Sequence, residues 1–476
     1  MIFIRYDYHT IVIGAGSAGL VVASGSAGLG AKVALIEKDK MGGDCLNTGC
    51  VPSKSFLKCA HLAKNIKDSE EFGIHSHIDS VDLQKVMTRV HSVIKDIEPN
   101  DSKERYEKLG VDVFSGKGQI VDNHTVSVGD KKLTGKNIVI ASGSQPSIPS
   151  IKGLKNVPFL TNLNIFELKK LPSHLIVLGA GPIGLELGQG FAHLGSKVTI
   201  IDQAVQLFPK DDPEVAHLME EQLKKDGINL ILGASIKEVK KHNEDIVVVI
   251  EHQSLTREIS GDNVLVSLGR IPSSSGFGLE NIGIKTDGRG FVLTDKKLRT
   301  NIKNIYACGD ITGPYLFTHM AGYQASIVVR NTILKLGSKV NYSTVPWTTY
   351  TKPEVSHVGY TEPLAKSIGL FKESIFVDLK DNDRAQSEND THGFLKLIVG
   401  NKGRLIGATL VGEKAGDMIP LATLAIKQKL KPTAFLGLIF SYPTQAEIFA
   451  SASLKKVKGS FKDWQKSLLK KIFLRK

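Results

Sequence analysis

Ile11-Val12-Ile13-Gly14-Ala15-Gly16-Ser17-Ala18-Gly19, read together with the residues up to Glu37, decides how this chain folds. An apolar strand runs into a glycine turn, a helix of small residues follows, and a second apolar strand at 33–36 ends on the acid Glu37. Each glycine has its own physical task. Gly14 permits the tight turn, Gly16 lets backbone N–H groups approach a pyrophosphate at the helix N-terminus, and Gly19 lets helix and strand pack closely. Glu37 stands where a ribose hydroxyl needs an acceptor.

One such turn is a weak signal, because many strand-to-helix turns bind nothing. The unit returns 165 residues on as Gly179-Ala180-Gly181-Pro182-Ile183-Gly184, with Asp202 standing 23 residues after Gly179 as Glu37 stands 23 after Gly14. Leu29-Gly30 and Lys32-Val33 also recur, as Leu194-Gly195 and Lys197-Val198. The repeat predicts an α/β fold with two Rossmann-like dinucleotide-binding domains; the alternative is a duplicated scaffold with empty crevices. An acid at the end of the second strand suits a free 2′-hydroxyl and repels a 2′-phosphate. No basic residue follows Asp202 until Lys210, which favours NAD(H) over NADP(H) in the second unit.

Between the two units lies Gly42-Gly43-Asp44-Cys45-Leu46-Asn47-Thr48-Gly49-Cys50-Val51-Pro52-Ser53-Lys54. Four cysteines in 476 residues make no disulfide framework, and the CxxC spacings of zinc sites are absent, so no metal site is expected. On a regular helix, residues i and i+5 have Cα atoms about 8–9 Å apart, beyond the roughly 7 Å that a bridge tolerates. If Cys45 and Cys50 pair, the stretch between them is not regular helix. Asn47, Thr48 and Gly49 allow an irregular turn, and Pro52 suits the start of a helix running from 53 to 66. A thiol at a helix N-terminus beside Lys54 has its thiolate stabilised, as a redox-cycling cysteine requires. The bland alternative is two unrelated reduced thiols. Cys59, on a stripe with Phe56, Ala60 and Ala63, and Cys308, in the apolar run before Gly309-Asp310, read as structural.

The length of 476 residues predicts two to four domains, and 41% hydrophobic with 23% charged residues describes an ordinary globular protein. No run reaches the roughly 18–20 apolar residues of a spanning helix, and the first ten residues carry no signal-peptide pattern, so a reducing, cytoplasmic setting is expected. Nine basic residues against one acid at 451–476 supply +8 of the net +13 charge. A nucleic-acid footprint over the body is unnecessary, and no nucleic-acid motif is present. Within that tail Phe461, Trp464, Leu468 and Ile472 recur every three or four residues among lysines, the pattern of a basic amphipathic helix. Three destinations stay open: packing on the chain's own body, peripheral contact with the inner face of an anionic membrane, or a partner helix.

With the doubled glycine unit and the GGDCLNTGCVPSK segment in view, the chain from Tyr8 to about Ala450 resembles the pyridine nucleotide-disulfide oxidoreductases, the flavoprotein family of dihydrolipoyl dehydrogenase, glutathione reductase and mercuric reductase. The resemblance implies FAD on Gly14, Gly16, Gly19 and Glu37, and NAD(P)H on Gly179, Gly181, Gly184 and Asp202. It implies that Cys45 and Cys50 form a redox-active disulfide. Cys50 would be the charge-transfer thiol nearer the flavin, and Cys45 the interchange thiol that meets substrate. Lys54 would lie against the flavin ring, paired with Glu186. Ser142 and Gly143 would belong to the strand linking the nucleotide domains, and Gly269 with Arg270, Ile271 and Pro272 to the linker back. Asp310 would take hydrogen bonds from the flavin's ribityl chain. His319 would open a helix facing the flavin, or equally serve as a capping or packing histidine. An α+β C-terminal domain beginning near Val345-Pro346 would make a homodimer with shared active sites, each completed by residues of the other subunit. The implied division is an FAD domain over 1–150 completed by 273–341, an NAD(P) domain at 151–272, a dimerisation domain at 342–454 and a basic tail at 455–476.

The pattern departs from the family where its disulfide reductases carry a His-Pro-Thr-x-Ser-Glu stretch. Here the stretch reads Tyr442-Pro443-Thr444-Gln445-Ala446-Glu447, with Tyr442 at the histidine's place and Glu447 at the orienting position. A phenol of pKa about 10 cannot shuttle protons near neutrality as an imidazole of about 6.5 does, which counts against efficient lipoamide or glutathione turnover. Tyrosine here resembles the mercuric reductase branch, yet no cysteine follows Cys308 to deliver Hg(II), which counts against mercury detoxification itself. The expected enzyme passes electrons from NAD(P)H through FAD and the dithiol to a small-molecule or metal-ion acceptor. Dihydrolipoyl dehydrogenase is the runner-up. A membrane-associated NADH:quinone oxidoreductase, and a non-catalytic nucleotide sensor on a borrowed fold, are the other classes.

Overall fold

The computed structural model describes residues 5–461 and 463–473, so Lys462, Arg475 and Lys476 of the basic tail lie outside the described residues. The chain divides into two compact units, residues 1–201 with 235–341 and residues 202–234 with 342–476.

The first unit is built on parallel strands β1 (Tyr8–Ile13), β2 (Val33–Glu37) and β3 (Val111–Ser115), in the order β3-β2-β1, followed by the strand Lys131–Ile140. The short strand Ile305–Ala307 also pairs in parallel with Lys131–Ile140, so residues far along the chain return to the first sheet. Ile11, Val12, Ile138 and Val139 are fully buried, the near-continuous apolar run of a parallel strand covered on both faces. On one face lies α1 (Ser17–Gly28), whose Gly25 brings it against Val329 of the helix Thr318–Thr332.

The strands His174–Leu178, Lys197–Asp202 and Asn263–Val266 form the second parallel set, with the helix Pro182–Leu194 following its glycine turn. Its register repeats the first: Ile13 pairs with Ile36, and 165 residues on Leu178 pairs with Ile201. The glycines repeat in conformation too. Gly14 has φ +103° and Gly179 φ +106°, where a side chain would meet the carbonyl oxygens of Ala141 and Ser267. A Cβ on Gly19 would lie 1.8 Å from the Gly14 oxygen, and one on Gly184 2.0 Å from the Gly179 oxygen. Only glycine allows helix and strand to approach so closely. An antiparallel meander, Ser235–His242, Asp245–His252 and Leu255–Gly261, precedes the last strand of the second set, Asn263–Val266. The chain enters and leaves this region through Ser144–Pro146 and Arg270–Pro272, which pair antiparallel with Pro146 opposite Arg270.

The second unit has a five-stranded antiparallel sheet in the order Pro346–Thr349, Glu354–Gly359, Leu405–Gly412, Phe394–Gly400, Phe371–Asp378. The helices Ala415–Lys427 and Ile448–Ser460 supply Met418, Ile419, Ala422, Ile448, Phe449 and Ala452 to its core. Residues 202–234 are tied to this sheet by Lys396, only 4% exposed, which meets Asp212, Glu214 and Glu362 at 3.2, 2.8 and 2.9 Å. A buried ammonium needs such multiple partners to offset its lost hydration.

The tail differs from a single amphipathic helix. The helix Ile448–Ser460 is held to its own sheet by Lys455, which donates to the Phe376 carbonyl at 2.7 Å, and by Lys456 on Glu373. It ends where Phe461 turns extended (φ −75°, ψ 117°), and a separate helix, Asp463–Phe473, follows with none of its described residues buried. None of the stripe Phe461, Trp464, Leu468 and Ile472 is buried: each is 43% exposed or more.

Candidate active site

The cysteine segment folds as two helices with a break. α2 (Gly43–Asn47) carries Cys45; Thr48 and Gly49 leave the helical range; α3 (Cys50–Lys67) begins on Cys50 itself. The helix starts earlier than the residue-53 start expected from Pro52. Pro52 sits in the first turn, where its missing N–H costs nothing because the first four N–H groups have no partner within the helix. Gly49 acts as cap residue, and its carbonyl accepts the Ser53 N–H at 3.0 Å.

Cys45 and Cys50 carry free thiols, Cys45 half-buried and Cys50 exposed. Cys50 Sγ lies 3.3 Å from Thr318 Oγ1, at the first residue of the helix Thr318–Thr332. The two sulfurs are electrostatically unlike. A hydrogen bond from the Cys45 thiol, then the Thr318 hydroxyl and the Lys54 charge, draw the Cys50 pKa down to about 6 against its burial. Cys45, as the donor of that bond and itself desolvated, is held well above the ordinary thiol range. Of the two sulfurs, Cys50 is the one whose surroundings favour the thiolate.

Lys54, one turn along α3, donates to Glu186 Oε2 at 2.7 Å, and Glu186 is almost fully buried in the helix Pro182–Leu194. The structure thus brings together residues 132 apart in sequence, fixing the lysine beside the first turn of α3. Cys308 is fully buried, and burial pushes its thiol up to about 12, as suits a packed core thiol. Cys59 is half-buried.

A second network lies under the dithiol. Arg270 is 12% exposed and reaches Asp44 Oδ2 at 2.9 Å, while its Nε donates to Ser144 Oγ at 2.8 Å and its Nη2 to the Ser144 carbonyl at 3.1 Å. Ser144 Oγ in turn donates to Asp310 Oδ2 at 2.6 Å. Burial raises the Asp310 pKa; the Ser144 hydrogen bond and the Arg270 charge hold it back. Asp44 Oδ1 accepts from Thr48 Oγ1 at 2.6 Å and Asn162 Nδ2 at 3.0 Å, so the same carboxylate pins the break between the cysteine helices. From sequence, Arg270 is placed only in the linker, and Asp44, Asn162 and Thr318 carry no assigned role. The available signals were an arginine in an otherwise apolar linker and an acid flanking Cys45.

The glycine cradles fit dinucleotides. Gly16 and Gly181 precede their helices in extended conformation, and a Cβ added there would find only Gly43 Cα at 3.8 Å in the first case and nothing within 4 Å in the second. Glycine at these two positions is not demanded by the chain's own packing, which fits a phosphate approaching the backbone. Glu37 accepts from the Ala15 N–H at 2.6 Å and the Asp39 N–H at 2.8 Å, ordering the turn from the end of β2. Asp202 similarly accepts from the Ala204 N–H at 2.7 Å.

Ser142, Gly143 and Gly269 lie at the crossing of the two linkers. Ser142 Oγ donates to the Ser273 carbonyl at 2.8 Å, Gly143 (φ +70°) accepts the Ser273 N–H, and Gly269 (φ +99°) accepts the Ser147 N–H. His319 is exposed and stacks on Phe317, ring centres 5.2 Å apart.

In the second unit Tyr442 is 72% exposed and its hydroxyl donates to Asp383 Oδ2 at 3.0 Å. That bond, with the charge of Asp383, raises its pKa above the phenol value. Glu447 accepts from the Thr444 N–H at 3.0 Å in a capping box, so the described partner of the phenol is Asp383. Among the described residues no group of three His, Cys, Asp or Glu is placed to hold a metal ion, and no helix is long and apolar enough to cross a membrane.

A family model described as pyridine nucleotide-disulphide oxidoreductase matches residues 8–325, and the dimerisation domain of the same family matches residues 345–453. The chain is similar to a mercuric reductase of Bacillus cereus, 34% identical over 93% of this chain and 70% of the relative. It is similar to a dihydrolipoyl dehydrogenase of Geobacillus stearothermophilus, 35% identical over 94% of this chain and 96% of the relative. Among solved structures it resembles the HOCl-induced flavoprotein disulfide reductase RclA of Escherichia coli, with TM-score 0.84 and 30% identity over 93% of this chain and 99% of that one. RclA has also been solved as a Cu(II) complex.

Proposed function

Because the chain belongs to the pyridine nucleotide-disulphide oxidoreductases, enzymes that use FAD with a pyridine nucleotide, we propose that it drives electrons from NADH onto a Cys45–Cys50 redox pair and from there onto a soft metal ion. The flavin, when bound, supplies the route by which the hydride pair of the nicotinamide becomes available to sulfur. Gly14, Gly16, Gly19 and Glu37 would hold it, with Asp310 at the ribityl chain and Lys54 and His319 toward the ring. Gly179, Gly181 and Gly184 would hold the nicotinamide dinucleotide, and Asp202 would favour the free 2′-hydroxyl of NAD(H). The proposed division runs 1–150 with 273–341 for flavin, 151–272 for nicotinamide nucleotide and 342–454 for dimerisation. The dimerisation domain itself supports a homodimer.

One observation carries the choice of acceptor: the residue at the place of the disulfide reductases' histidine is Tyr442, a phenol whose hydroxyl donates to Asp383 and which offers no group that titrates near neutrality. Reducing a disulfide substrate requires a proton for the departing thiolate. Reducing a metal ion requires only soft sulfur ligands, which Cys45 and Cys50 provide. In the proposed step the two sulfurs lose an electron pair and form the S–S bond, their protons go to solvent, and the pair reduces one two-electron ion or two one-electron ions. NADH then restores the dithiol. The mercuric reductase relatives and the Cu(II) complex of RclA support this reading.

The test is steady-state turnover of the purified holoenzyme with NADH against Hg(II), Cu(II), lipoamide and glutathione disulfide. Metal-ion turnover that is lost in Cys45→Ser and Cys50→Ser supports the proposal. Rapid lipoamide turnover without metal-ion turnover refutes it in favour of a dihydrolipoyl dehydrogenase.

A further inference from the structure

The family's dimerisation domain ends at residue 453, and the chain does not. Beyond the helix that closes that domain, the extended Phe461 separates a second helix, Asp463–Phe473, none of whose described residues is buried. At about 100° per residue, Trp464, Leu468, Leu469, Ile472 and Phe473 share one half of its circumference with a single polar residue, Gln465. Asp463, Lys466, Ser467, Lys470 and Lys471 occupy the other. We propose that this helix is an interfacial anchor that lays the enzyme on an anionic phospholipid surface, a property separate from the dithiol chemistry.

The preceding helix provides the contrast. Its Ile448, Phe449 and Ala452 are buried, and its Lys455 and Lys456 engage a carbonyl and a carboxylate of the same unit. In the terminal helix Trp464 is 61% and Phe473 79% exposed. Among the described residues Lys466 meets the exposed Asp463 at 3.3 Å, and Lys470 and Lys471 meet no carboxylate. An exposed, mainly apolar half beside a half that carries three lysines against one aspartate matches a surface that is apolar below and anionic above, with the lysine stems reaching up to phosphate.

Length and charge decide between occupants. Eleven residues span about 16 Å, half the roughly 30 Å of a bilayer core, so the helix lies in the interface plane. Pairing with the same helix of a second copy would cover the apolar half and leave Lys466, Lys470 and Lys471 without the anionic partner that a phospholipid surface supplies.

The experiment uses the full-length holoenzyme and co-sedimentation with two kinds of vesicle, phosphatidylcholine alone and phosphatidylcholine with phosphatidylglycerol. Binding is expected only to the anionic vesicles and is expected to weaken with salt. At roughly a factor of five per near-surface basic residue, replacing Lys466, Lys470 and Lys471 together with Gln should weaken it by about a hundredfold. Trp464→Ser with Leu468→Ser and Ile472→Ser should abolish it, with NADH-dependent turnover in solution unchanged in both variants. No binding of the wild-type protein to anionic vesicles, or binding equal in wild type and both variants, overturns the proposal. So does a change of oligomeric state in the serine variant, seen by light scattering without vesicles, since it would show that another copy covers this face.

Discussion

Arg270 and Asp44, 226 residues apart, meet at 2.9 Å, and through that contact the linker of the nucleotide domains holds the cysteine helices in place. The arginine also holds Ser144, which holds Asp310, so one guanidinium orders residues from three other stretches of chain. Arg270→Ala leaves Asp44 and Asp310 without their cation. Because Asp44 is over one-third exposed, the expected cost is about 2 kcal/mol, less than that of breaking a fully buried pair. Urea unfolding of the holoenzyme measures it. Arg270→Lys should recover only part, because a lysine lacks the planar fork. Wild-type stability in Arg270→Ala would remove the network from the description.

The Cys50 pKa predicts the pH dependence of thiol reactivity. In the reduced enzyme, alkylation of Cys50 should rise through about pH 6 and level off, where an ordinary thiol keeps rising to about 9. Cys45→Ala removes the largest cause of the shift and should move that midpoint upward. The depressed Cys50 pKa means that folding releases a proton relative to the unfolded thiol. Its stabilising contribution is fully present above the unfolded pKa and lost as pH falls through about 6. Cys45, held above the ordinary range, acts oppositely above pH 9, where only the unfolded chain ionises it. A wild-type alkylation midpoint near 9 would contradict the asymmetry of the pair.

The glycines separate packing from binding. Gly184→Ala puts a Cβ 2.0 Å from a backbone oxygen, and should cost about 3 kcal/mol as well as weaken nicotinamide nucleotide binding. Gly181→Ala meets nothing within 4 Å, and should leave stability within about 0.5 kcal/mol while raising KM for NADH at unchanged flavin content. Thermal unfolding and steady-state kinetics on the two variants distinguish the cases. An unaltered KM in Gly181→Ala would place the nucleotide elsewhere.

Tyr442→His supplies the imidazole that disulfide reductases of this family use. General acid–base catalysis contributes about 10²-fold or more, so lipoamide turnover should increase by at least about tenfold while metal-ion turnover stays within about twofold. A variant that gains nothing with lipoamide would show that position 442 does not limit disulfide reduction.

Most of the fold was legible because its signals are local. The glycine turns at 14–19 and 179–184 need positive φ and close approach at fixed offsets, and their register repeats at the same 165-residue interval as the sequence. The helix α3 starts three residues before the position that Pro52 suggests, because a proline is tolerated throughout a first turn. The Arg270 network was not legible. Nothing local to an arginine after Gly269 says that it will meet an aspartate beside Cys45, because that contact is made by the sheet topology. Position 442 was readable as a substitution, while its hydroxyl's bond to Asp383 depends on a turn that sequence does not specify. The tail's amphipathic period was visible; its break at Phe461 and its uncovered face came only from the structure.

The central claim is that Cys45 and Cys50 carry the electrons, and anaerobic titration of the oxidised holoenzyme with one equivalent of NADH tests it most directly. Two newly alkylatable thiols per flavin, located at residues 45 and 50, together with a long-wavelength absorption absent from Cys50→Ser, are predicted. Complete bleaching of the flavin with no new thiols and no such absorption would contradict the claim.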